Sequence, residues 1–261
     1  MFSALPLSSF QELSLFSLVL GRMGGIFAAI PLFGGRSVPT RVRSAAVLAL
    51  ALVLYPVVRQ TLPPLPGDTL SLALLMLRET LIGITLGVVS QAIFVAIEFG
   101  GQLVSVQTGL SIATQFDPIM GDQFTALSAL QNIIGMLLFM TLGVHHVFLK
   151  ALVESYQVIP VGGWHMSGPL LQFLTGVTTS IFVLGIKLAG PVMVALLATS
   201  VVLGIMARAF PQMNVFMVSM PLNIAIGLLL LAVSLLVFVH TLQGAFGGLP
   251  QQIKVLFKLL S

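Results

Sequence analysis

Residues 169–206 read PLLQFLTGVTTSIFVLGIKLAGPVMVALLATSVVLGIM, and Lys187 is the one charge among them. An apolar run of this length reads as helix, because buried strands rarely exceed about eight residues. At 1.5 Å per residue it measures about 57 Å, well beyond the roughly 30 Å hydrocarbon core of a bilayer. Ser167 and Gly168 precede Pro169. Proline at the first helical position sacrifices no intrahelical donor, so a helix start is expected there. Pro191 follows Gly190, and a kink is expected at that point.

Five further apolar segments fall at 13–33, 44–58, 70–99, 124–144 and 213–242. Turn-forming clusters separate them: Gly34-Gly35 with Pro39, then Pro63-Pro64-Leu65-Pro66-Gly67, and Gly162-Gly163. Asp122 is a fair N-cap for the segment that begins near Phe124. Pro221 marks a second kink. The fold class is therefore all-α and membrane-class, built of long, kinked hydrophobic helices. The spans are irregular, since 44–58 is short for a bilayer and 70–99 is long.

The composition supports this. The chain of 261 residues is 57% hydrophobic and only 7% charged, against about 25% charged in a soluble domain. Most of its surface must be hidden in lipid, in partner subunits, or in both. With one Trp and two Tyr it has a thin interfacial aromatic belt, so much of its apolar surface is expected to face protein. The net charge is +4, but the Lys and Arg residues are scattered singly with no basic run, which argues against nucleic acid. No cysteine is present, so disulfides and thiolate metal sites are excluded. The first charge is Glu12, and no basic n-region precedes the first apolar stretch, which is expected to be retained. Alternating six segments would set Arg36, Arg41, Arg43 and Arg208 against Arg59, Lys150, Lys254 and Lys258. That tie leaves the orientation open.

Arg22, Arg78, Glu79, Glu98 and Lys187 lie inside apolar segments. Such charges cost about 2.5–3.5 kcal/mol at a bilayer centre, so they are expected to face protein or a watery cavity. Arg78 and Glu79 point roughly 100° apart on a helix and are better placed to bind two other elements than each other. Ion pairing between helices or subunits is the plain reading; a proton or ion relay is the sharper one. His145-His146 diverge on a helix and lack the i,i+4 spacing of a metal pair, so a structural turn after Gly143 is expected instead. No nucleophile elbow, Walker loop or dinucleotide fingerprint appears. Neither catalytic, cofactor nor metal residues are expected.

The stretch from Gly100 to residue 123 mixes small, polar and apolar residues, too apolar for a free aqueous loop and too polar for lipid. Irregular backbone at membrane depth is tolerated only inside protein or against a water-filled cavity. A pore-lining or plugging segment over 106–121 is expected, formed by Gln107, Leu110, Ile112, Phe116, Asp117 and Met120, with a surface loop as the plainer alternative. A helix break is expected over 207–216, because Pro211 disfavours helix at Phe210. Asn214 can cap the next helix, and Arg208 suits the negative end of the preceding one. From Pro250 the tail reads as an amphipathic helix, with Ile253, Leu256, Phe257 and Leu260 on one face and Lys254 and Lys258 on another. It is expected on the membrane surface or a neighbouring subunit.

Arg208-Ala209-Phe210-Pro211-Gln212-Met213-Asn214-Val215-Phe216 is similar to the signature of the FliR/SctT family of flagellar and virulence type III export-gate proteins. His145-His146, Ser155-Tyr156, Ile159-Pro160-Val161-Gly162, Gly109-Leu110, Ala113-Thr114 and Asp117-Pro118 match in the same order, as do Arg36, Pro39, Arg41 and Arg43. The resemblance runs from about residue 20 to 245 and favours the flagellar branch. It implies a core export-gate subunit that forms, with several FliP and FliQ subunits, the closed channel for unfolded flagellar proteins, with FlhB as a further partner. It implies that residues 1–168, with the loop 100–123, resemble a FliP subunit, and that 169–261 form a FliQ-like helical hairpin with an amphipathic tail. It also implies a place in the bacterial inner membrane at the core of the basal body, partly above the bilayer plane. A secondary transporter with broken helices is the main alternative. A membrane protease lacks a paired nucleophile and base.

Overall fold

The structure, a computed structural model, describes residues 10–30, 39–62, 68–111, 125–164, 167–212 and 214–260. Among these residues it is helical with no strand. The helices are α1 (Phe10–Ala29), α2 (Thr40–Val58) extended by a 3-10 turn (Arg59–Thr61), α3 (Thr69–Thr108), α4 (Ala126–Thr141), α5 (Val144–Val158), α6 (Gly168–Ala209), α7 (Val215–Gly247) and α8 (Leu249–Leu260). Gln11–Ala29, Thr40–Thr61, Thr69–Thr108, Gly168–Ala209 and Met217–Leu260 are long and apolar enough to cross a membrane.

Several helix ends depart from the expectations, each for a local reason. The segment at 44–58 is part of a longer helical stretch, because Thr40, Arg41 and Arg43 at one end and Arg59 at the other are helical without being apolar. α3 begins at an exposed cap: Asp68 accepts from the Ser71 amide at 2.9 Å, and that hydrogen bond holds its carboxyl below the usual carboxylate range. α4 is capped by Thr125, whose hydroxyl accepts from the Ser128 amide; Asp122 lies outside the described residues. α6 starts one residue before Pro169, with the Ser167 hydroxyl accepting from the Leu170 amide. α6 continues through Pro191 and α7 through Pro221. The loop expected from Gly100 starts later, since α3 continues through Gly100-Gly101 to Thr108.

The chain divides into two compact units, one drawn from 1–91, 143–177 and 248–261, the other from 92–142 and 178–247. In the first, α1 crosses the first half of α3 with backbones in contact. A Cβ at Gly25 would sit 2.4 Å from the Thr80 carbonyl oxygen, and one at Gly83 would sit 2.1 Å from that of Arg22. Small residues permit this approach, as in membrane helix pairs generally. Phe16 meets Tyr55 of α2 edge-on at 5.6 Å, and the Tyr55 hydroxyl and Arg59 both donate to the Glu12 carboxylate. The tail helix α8 buries Leu249, Ile253, Leu256, Phe257 and Leu260 and packs against α5. Its apolar stripe is thus seated on its own chain, a position the periodicity could not distinguish from a membrane surface or another subunit.

In the second unit, α3 is sandwiched by close glycine contacts to α4 and α6. A Cβ at Gly101 would lie 2.5 Å from the Ser128 Cα, and one at Gly100 would lie 2.9 Å from the Gly185 carbonyl oxygen. These glycines serve packing rather than ending the helix. Phe94, Phe139 and Phe246 form an aromatic triangle with centroid separations of 5.6, 5.8 and 5.8 Å. Val104, Leu127, Ala189, Val192 and Leu196 form the core, and Ile226, Leu230 and Leu231 of α7 pack against it. The opposite faces are bare. The most apolar windows within Gly168–Ala209 and Met217–Leu260 are only 28% and 17% buried.

Candidate functional site

Three of the five charges that the sequence places in apolar helices, Arg22, Arg78 and Glu79, gather in the first unit. Arg22 and Glu79 have side chains with no exposure at all, and the Arg22 Nε donates to the Glu79 Oε2 at 2.6 Å. Arg22 Nη1 donates to the Ser155 hydroxyl at 3.0 Å, and its Cζ lies 4.0 Å from the centre of the Tyr156 ring, a cation–π contact. The second Glu79 oxygen accepts from the Gly162 amide at 3.0 Å, and Arg78 donates to the Gly162 carbonyl at 3.1 Å. Adjacent residues of α3 therefore hold both the amide and the carbonyl of one glycine. Gly162 can take that place because its φ is +74°, a region that favours glycine. The cluster ties α1, α3, α5 and the turn after α5 together. A buried pair of this kind stabilises only when its remaining hydrogen bonds are met, and here Arg22 Nη2 alone is left without a partner.

Ser155, Tyr156 and Gly162 were not legible as partners of Arg22 and Glu79 from spacing, since they lie far along the chain. They do fall within the short matches that carried the family resemblance. The other charged candidates behave differently. Glu98 accepts a 3.4 Å hydrogen bond from Gln102, and Lys187 is exposed on α6. Among the described residues neither has an ion-pair partner in this chain.

Ser105 and Thr125, which flank the 106–121 segment, meet in the second unit. Gln107 is in the last turn of α3, Gly109 follows at φ +81°, and Leu110 packs on the core around Val104 and Leu196. Ser105 and Thr125 hydroxyls are 2.6 Å apart, and the Thr125 hydroxyl also donates to that of Ser128 at 3.1 Å. All three residues are buried. Ile112, Phe116, Asp117 and Met120 lie outside the described residues.

The 207–216 stretch separates α6 from α7. α6 ends at Ala209, Pro211 and Gln212 form a turn, and Asn214 Oδ1 accepts from the Met217 amide at 3.4 Å. Arg208, Pro211 and Asn214 are all exposed. His145 and His146 sit in the first turn of α5, their rings 4.0 Å apart, behind a Gly143 cap at φ +65°; the turn precedes them rather than containing them. Among the described residues no three His, Asp or Glu side chains are grouped to hold a metal ion.

A family signature described as bacterial export proteins, family 1, matches residues 13–249. The chain is 32% identical to the flagellar biosynthetic protein FliR of Caulobacter vibrioides over 219 residues, covering 84% of this chain and 87% of that protein. It is 31% identical to the FliR of Escherichia coli, covering 84% of each. With the FliR of Bacillus subtilis it shares 29% identity, covering 88% of this chain and 90% of that one. The signature spans nearly the whole helical chain, including both the Arg22–Glu79 cluster and the 207–216 break, and the chain belongs to the bacterial export proteins, family 1.

Proposed function

We propose that the chain is a core subunit of the flagellar type III protein export gate. With FliP and FliQ subunits it forms the closed channel for unfolded flagellar proteins, beside FlhB, in the bacterial inner membrane at the core of the basal body. The observation that carries this reading is the apolar surface of α6 and α7. Helices that are 28% and 17% buried over their most apolar windows need a cover of lipid or of other subunits, and relatives of nearly the same length are flagellar biosynthetic proteins. Glu98 and Lys187, which have no ion-pair partner among the described residues, suit subunit contacts better than lipid. In this reading residues 1–168 act as a FliP-like part and 169–261 as a FliQ-like hairpin. Residues 106–121 close the conduit, with apolar side chains that seal it against ions as a dewetted constriction does.

The test is replacement. In a flagellated bacterium lacking its own FliR, this chain is expected to restore secretion of flagellar subunits and swimming. Stable membrane insertion without any secretion, together with substrate counterflow by the chain alone in liposomes, contradicts the gate and supports a transporter.

A further inference from the structure

The seam between the second half of α3 and α4 is closed by two different means along its length. Near the C-terminal end of α3 a single hydroxyl pair crosses it, Ser105 with Thr125 at 2.6 Å, both buried. Within the cap of α4 the Thr125 hydroxyl donates to that of Ser128 at 3.1 Å and Ser128 donates to the Thr125 carbonyl at 2.9 Å, while within α3 Thr108 donates to the Ser105 carbonyl at 3.1 Å. Deeper in, backbone and apolar groups are pressed together. A Cβ at Gly101 would fall 2.5 Å from the Ser128 Cα, one at Gly135 would fall 2.6 Å from the Ile97 Cδ1, and Phe94 meets Phe139 edge-on. Parting the seam would break the Ser105–Thr125 hydrogen bond, the one of these that crosses between the helices, and leave a buried hydroxyl short of its partner. It would also break a glycine contact that has no room to slide.

We infer that the Ser105–Thr125–Ser128 cluster is a permanent clasp: α3 and α4 stay joined at this point in the resting and the exporting protein. This inference rests on the export-gate reading for its functional consequence, but the clasp itself is a property of the fold. It makes export depend on rearrangements elsewhere and not on separation of these two helices.

The chain has no cysteine, so introduced thiols can be counted without background. The experiment uses the full chain in its assembled membrane complex, carrying Ser105→Cys with Thr125→Cys. Oxidation is expected to join the pair, seen as loss of both free thiols in a maleimide–polyethylene glycol gel shift, with secretion unchanged between oxidised and reduced cells. Secretion lost on oxidation and restored by dithiothreitol overturns the inference, as does failure of the disulfide to form. Should the double variant not assemble, Ile97→Cys with Gly135→Cys crosses the same seam, the first change removing the side chain that crowds Gly135. The single variant Ser105→Cys adds a readout independent of secretion: its thiol is expected to stay unreactive towards a maleimide in resting and exporting cells, and labelling confined to exporting cells overturns the clasp. A reduced chain that supports no secretion contradicts the export reading instead, and the clasp is then judged from disulfide formation and thiol protection alone.

Discussion

Arg22 holds the first unit together through a charge that has no access to water. Its value depends on Glu79, because removing one partner of a buried pair leaves the other uncompensated at a cost of about 3–5 kcal/mol. Glu79→Gln keeps the shape and the acceptor for the Gly162 amide, yet leaves the guanidinium unbalanced. It is expected to lower membrane abundance and the melting temperature of the purified protein, whereas Arg22→Met with Glu79→Leu recovers most of the loss. A double variant as unstable as the single one would show that the hydrogen bonds to Ser155 and Gly162 matter more than the pair. Arg22 and Glu79 face protein, as charges in long apolar segments do when they find partners, whereas Arg78 is exposed and only its hydrogen bond to Gly162 ties it in. Which partners they find does not follow from the sequence, because a helical period says nothing about contacts 57 to 133 residues away along the chain.

The helices themselves were the most legible level. Among the described residues each long apolar run is mainly helical, the one at 124–144 ending its helix at Thr141, and the Pro211 region lies between two helices. The misreadings cluster at ends and at mixed stretches. α5 was hidden because Val144–Val158 carries His145, His146, Lys150 and Glu154 among its apolar residues, so hydropathy alone does not reveal it. Gly100-Gly101 looked like a break, yet those glycines admit α6 and α4 to close contact. The tail helix α8 was legible as amphipathic but not as to what it covers. Its place on the first unit makes truncation costly. Removing residues 253–261 uncovers the sites of Ile253, Leu256, Phe257 and Leu260, each worth about 1.5–3 kcal/mol when fully buried. The shortened chain is expected to be degraded or poorly assembled, while Lys254→Gln with Lys258→Gln, which touches only the exposed face, leaves abundance unchanged. Equal abundance of truncated and full-length chains, measured by immunoblot of membranes, would deny α8 that role.

For the whole molecule, the sequence conveyed a protein with more apolar surface than one chain buries, and the bare windows of α2, α6 and α7 show where that surface lies. A gate must pass an unfolded chain while holding back ions, since each unit charge crossing 100 mV dissipates about 2.3 kcal/mol. If residues 106–121 seal the conduit, deleting 110–114 or making Phe116→Ser yields a complex that assembles but leaks, detected as growth inhibition on overexpression and as ion flux in reconstituted vesicles. An assembled variant as tight as the parent would leave that segment a structural loop. The most direct test concerns the partners themselves. The tagged full-length chain, extracted from flagellated cells in mild detergent, is expected to purify only as a stable assembly with FliP and FliQ, as resolved by native mass spectrometry. A well-behaved monomer that retains export function without those subunits would contradict the account.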